Sequence, residues 1–279
     1  MRKLLFLACL AISTPFASYA AVPQQPIVNN SFSYADLADL AVDAPIVAGV
    51  LVSDAIQLKG AQAADVPAGM ARFYVEATVQ TLVRGADGLQ AQVNYLTDVP
   101  LGPSNRPPKL RKARMLLLAA PVPGRPGTLQ LVAPDAQISW TPDAEQRLRA
   151  ILLEATAKDA PPHITGVGNA FHVPGAIPGE SETQIFLTTQ DGRPISLGVL
   201  RRPDETPRWA VALGEMVDEA AAPPKPDSLL WYRLACFLPA NLPDSAIASM
   251  GDADAVATRD DYRLIIEGLG PCNRTRPAR

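Results

Sequence analysis

The chain has few of the residues that usually carry chemistry. Three cysteines (Cys9, Cys236, Cys272) and two histidines (His163, His172) stand among 279 residues, and aromatic side chains make up 6%. Once Cys9 is lost with the amino-terminal segment and Cys236 and Cys272 pair, as argued below, two imidazoles and no free thiol remain, which excludes a typical structural zinc site. The sequence has no Gly-x-x-x-x-Gly-Lys phosphate loop and no Gly-x-Ser-x-Gly elbow. Ser-x-x-Lys, His-Glu-x-x-His and Asp-Thr/Ser-Gly are missing as well, which removes the best-marked nucleotide and hydrolase sites. Gly166-Val167-Gly168 opens like a dinucleotide loop, but the third glycine is missing and the context is strand-like. No cofactor is expected. Past the first twenty residues no apolar run approaches the eighteen or so needed to cross a bilayer as a helix.

What is present begins at the amino terminus. Arg2 and Lys3 precede an apolar run from Leu4 to Ile12, and Ser18-Tyr19-Ala20 forms a small-residue exit. This is the pattern of a secretory signal peptide, residues 1–20, cleaved after Ala20. A lipid-modified Cys9 would leave only eight residues upstream, too few for both a basic and an apolar region. Placement in the periplasm or outside the cell follows as the expectation. Cleavage also removes Cys9, so Cys236 and Cys272 remain, and an oxidising compartment favours a disulfide between them. Loss of Arg2 and Lys3 takes Lys+Arg from 25 to 23 against 28 Asp+Glu, a net charge of −5. That balance argues against bulk nucleic-acid binding.

Residues 21–45 read as an N-terminal lead-in. Ser33 caps a short helix there, with Asp36 three residues on as a capping box. From 46 to 140 the pattern is β. Phe73, Val75, Ala77 and Val79 alternate with polar neighbours, as do Leu89, Ala91, Val93 and Tyr95. Ala86-Asp87-Gly88 between these runs makes them a hairpin. With Ile46–Val52, Met115–Ala119 and Leu129–Val132 the count reaches five strands. Their number and spacing resemble a small closed barrel such as the OB-fold; a two-sheet sandwich fits the same pattern. Thr141 and Pro142 then open a helix to about residue 158. This closes a first domain at 46–160.

Residues 161–279 form the second expected domain, α+β. Strands are expected at Ile164–Val173, Thr183–Thr189, Ile195–Leu200 and Trp209–Leu213, with Asp191-Gly192 as a turn. Two helices follow. One is capped by Asp227 or Ser228, and the other starts at Thr258 and ends at Gly268–Gly270. The fold class is therefore α+β: an OB-like barrel or β-sandwich, then a small antiparallel sheet with C-terminal helices.

Candidate sites are few. Glu180, Glu182 and Asp191 offer carboxylates for acid–base work on a cell-wall or extracellular polymer. Ser181 with His172 as base is the nearest approach to a nucleophile pair. Each is more simply a surface or loop residue. Asp252, Asp254, Asp260 and Asp261 cluster, but without the spacing of a calcium loop, and no metal site is expected.

The least random feature is basic. Between Val99 and Pro134 stand Arg106, Lys109, Arg111, Lys112, Arg114 and Arg125, with no acid. Pro107-Pro108 stiffens the segment. Such a patch suits an anionic envelope component or an acidic protein face. It also suits a solvated loop guarding the apolar strand at Met115–Ala119. The sequence therefore points to an exported, non-catalytic binding or scaffold protein.

Overall fold

The computed structural model describes residues 32–217 and 221–276; the expected signal peptide and Cys9 lie outside them. The first helix, α1 (Tyr34–Ala41), begins with the expected capping box: the Asp36 N–H donates to Ser33 Oγ, and the Ser33 N–H donates to the Asp36 carboxylate. Its apolar residues face every direction, and six of them are buried. An eight-residue helix of this kind is held by its surroundings rather than by its own propensity.

Five strands then close a barrel: β1 (Ile46–Gln57), β2 (Met70–Arg84), β3 (Gln92–Pro100), β4 (Arg114–Pro121) and β5 (Thr128–Leu131). The spatial order is β1-β2-β3-β5-β4, and β4 pairs back onto β1. Only β3 and β5 run parallel. The sandwich alternative is thus excluded, and the domain is an OB-like barrel. Strand β1 closes it by pairing β4 over Ile46–Leu51 while following β2 along its length. Three register shifts in the β1–β2 ladder let it curve. Gly49 sits at one of them, where an added Cβ would lie 2.5 Å from Thr81 Oγ1.

A short strand not foreseen from sequence, β6 (Gln137–Ser139), continues the edge of β4 beyond β5. Helix α2 (Pro142–Thr156) follows, capped by Thr141, whose Oγ1 accepts from the Ala144 N–H.

The second sheet is an antiparallel meander of β7 (Ile164–Pro174), β8 (Ser181–Thr189), β9 (Ile195–Arg201) and β10 (Arg208–Ala212), with β7 and β10 at its edges. Helices α3 (Leu229–Ala235) and α4 (Asp252–Leu269) follow. Helix α4 starts six residues before the expected Thr258. Gly251 caps it without a side-chain bond, so the usual Ser/Thr/Asp signal is absent. Thr258 instead donates from its hydroxyl to the Asp254 carbonyl one turn back.

Two cores result. One fills the barrel with Val50, Val75, Val93, Tyr95, Leu117 and their neighbours. The other joins α1, α2, α3 and α4 to the inner face of β7–β9 and to the outside of the barrel. Strand β4 serves both: Met115, Leu117 and Ala119 point into the barrel, Leu116 and Leu118 into the second core. Burial on both faces explains its unbroken apolar run.

The disulfide Cys236–Cys272 is present, with Cα atoms 5.0 Å apart. It holds the segment after α4 against the end of α3. From there Arg274 forms a two-pronged ion pair with Asp39, and Arg276 another with Asp135. Thr275 and the Arg276 N–H donate to Asp36, which is fully buried.

Candidate functional site

The basic residues fall on the connection from β3 to β4, residues 101–113. This loop is tied down along its length. At its start the Leu101 N–H donates to the Gly69 carbonyl, and Gly102 and Arg106 close a turn through Gly102 N–H···O Arg106. Pro107-Pro108 follow without a donor, and Leu110 turns inward as part of the barrel core. At its end Lys112 N–H donates to Val52 O, and Val52 N–H returns a bond to Ala113 O. Lys112 takes φ 67, a left-handed conformation that lets the chain enter β4.

The loop therefore arcs over one end of the barrel. Arg106, Lys109, Arg111 and Lys112 are all exposed, and none forms an ion pair among the described residues. Lys59, exposed on the β1–β2 connection, lies at the same end. An acid stands beside them: Asp54, exposed on β1, lies two residues after Val52, whose backbone bonds Lys112 and Ala113. Asp65 and Asp98 are both held by Arg72, at 2.7 and 2.8 Å. Arg72 keeps Asp65 below the usual carboxylate range. The cations thus stand on a backbone held at both ends, with Asp54 as a neighbouring acid.

Two members of the basic run leave this group. Arg114, also exposed, lies over the Trp140 ring, its guanidinium carbon 3.3 Å from the centroid. Arg125 sits between β4 and β5, beside the start of β3, and so at the opposite end of the barrel. No known family matches this chain. No curated protein matches it either.

The carboxylates weighed for catalysis do not converge. Glu182 and Asp191 stand at opposite ends of β8, roughly 25–30 Å apart at the rise of a strand. Asp191 belongs to a turn: it accepts from the Arg193 N–H and pairs with its guanidinium, which lowers its pKa. Glu180 closes the β7–β8 loop, its carbonyl accepting from the Gly175 N–H, and Glu182 accepts from the Gln184 amide.

His172 has a different partner from any expected. Its Nδ1 lies 2.9 Å from Asp254 Oδ1 in the first turn of α4. Beside it Thr183 donates to Asp261, which Arg201 grips on its other oxygen. Ser181 is paired with Pro174, two positions along from the His172–Thr183 pair. Ser181 and His172 are thus diagonal neighbours, with Cα atoms about 7–8 Å apart. No hydrogen bond joins them among the described residues. The arrangement fastens α4 to the sheet through a polar seam. No group of three or more His, Cys, Asp or Glu side chains is gathered for a metal among the described residues, and Asp254 and Asp261 are engaged by His172, Thr183 and Arg201.

Sequence reasoning missed the Arg72 network and the contacts of Arg274–Arg276 with Asp36, Asp39 and Asp135. Both join residues far apart in the chain, and single charged residues give no local sign of their partners.

Proposed function

We propose that this is an exported binding protein of the cell envelope, in the periplasm or secreted, which holds an anionic partner on the end of its barrel and performs no catalysis. The observation that carries the proposal is the β3–β4 loop. Four exposed cations, in no ion pair among the described residues, stand on a loop whose backbone is held by hydrogen bonds at both ends and by Leu110 inside the barrel. A loop whose backbone is already held loses little backbone entropy on binding. The disulfide fits an oxidising compartment. No helix among the described residues is long and apolar enough to cross a membrane.

The test uses the mature chain and a variant, Lys109→Glu/Arg111→Glu/Lys112→Asn. Asparagine is chosen because it tolerates the left-handed backbone of Lys112. Arg114 is left alone because of its stacking on Trp140. Wild type should be retained on anionic vesicles and on polyphosphate at low salt, less so at high salt, since exposed charges are screened over about 8–10 Å. The variant should lose most of that retention while melting within about 0.5 kcal/mol of wild type. Equal retention of the two proteins at low salt would reduce the loop to a solvated connection.

A further inference from the structure

The wall of the barrel below this loop carries an apolar row. Register places Ile56 of β1 opposite Tyr74 of β2, and Tyr74 opposite Leu96 of β3, so the three lie side by side across three strands. They point outward, because Val75 and Phe73 on either side of Tyr74 fill the barrel. Ile56 and Leu96 are each 52% exposed. The rows above and below are polar: Arg72 with Asp98, and Asp54 with Glu76 and Asn94. Leu96 stands four residues before the end of β3, about 13 Å from that end at the rise of a strand, and the basic loop follows from there. Ile56 is three residues from Lys59.

Resting on the binding reading above, we propose that the anionic partner is a lipid surface, with phosphate headgroups on the loop cations and the Ile56–Tyr74–Leu96 row set into the interfacial layer. The choice follows from pairing the two features. A hydrophilic polyanion satisfies the cations but leaves the apolar row in water. A lipid interface satisfies both, because long basic side chains reach headgroup phosphates while their stems and nearby apolar groups bury. The tyrosine between two aliphatic residues also fits, being apolar along the ring and polar at the tip.

Ile56→Ser/Leu96→Ser in the mature chain separates this from the broader proposal. The probes are phosphatidylglycerol-containing vesicles and soluble polyphosphate, with thermal melting as the folding control; both positions are exposed, and the single Leu96→Asn serves if the pair melts early. The expected result is vesicle affinity lower by about tenfold or more, from the lost apolar burial, with polyphosphate affinity unchanged. Vesicle binding equal to wild type would overturn the lipid proposal while leaving the loop as an anion site. Loss of neither ligand in this variant or in the loop variant would overturn both.

Discussion

Asp36 shows how much one side chain can organise. It is a charged residue with no exposed surface, which is costly unless every lone pair finds a donor. Burial on its own would raise its pKa. Hydrogen bonds from the Thr275 hydroxyl, from the backbone N–H groups of Arg276, Ser33 and Thr275 outweigh that and hold it below the usual aspartate value. A lowered native pKa stabilises the fold above the unfolded value of about 3.9, and the contribution disappears as pH falls through the native one. Denaturant titrations across the acid range should therefore show a stability loss setting in below about pH 4 that is blunted in Asp36→Asn. At neutral pH, Asp36→Ala should cost about 3 kcal/mol. Thr275→Val should cost less, about 1 kcal/mol. The two should combine non-additively, because they act in one network; simple additivity in a double-mutant cycle would argue that Thr275 is a bystander.

At the level of elements, the disulfide and the segment it anchors work together. The bridge spans 36 residues, so its removal should cost roughly 3–4 kcal/mol by loop-closure entropy. Because Arg274 follows directly, reduction should also expose the Arg274–Thr275 bond to trypsin in the native state, where the oxidised protein resists; equal cleavage rates would mean that the ion pairs hold the segment unaided. The elements themselves were largely legible in the sequence. The capping box at Ser33, the Thr141-Pro142 start of α2, the turn at Ala86–Gly88 and the Cys236–Cys272 pairing are local or are forced by count. Strand alternation was readable wherever one barrel face meets water. Barrel or sandwich was not readable, since β1 pairing with both β2 and β4 is a long-range event that leaves no periodic mark. The start of α4 was missed because glycine caps it. The candidate site was legible as a charge run, but not its division: Arg114 and Arg125 are sequence neighbours of the loop and part from it only when the strands are placed.

For the molecule as a whole, the shared second core is decisive. An isolated segment 46–140 would present Val47, Leu116 and Leu118 to water, so it should not fold alone. Calorimetry of the mature chain should give one cooperative transition; two separated transitions would mean that the barrel and the remainder are independent. Mass spectrometry of protein recovered from its native host should place the amino terminus near Ala21, and an intact Met1 on that protein would remove the compartment on which the envelope proposal depends. The partners of Asp36 carry a further consequence, one of timing. Thr275 lies 239 positions downstream of it, so α1 has to wait until those residues have been made before its buried charge is fully satisfied. Until then α1 can dock only provisionally. Long waits between distant partners slow folding. A nascent chain halted before Thr275 leaves that charge short of its donors and should be a marked target for proteolysis.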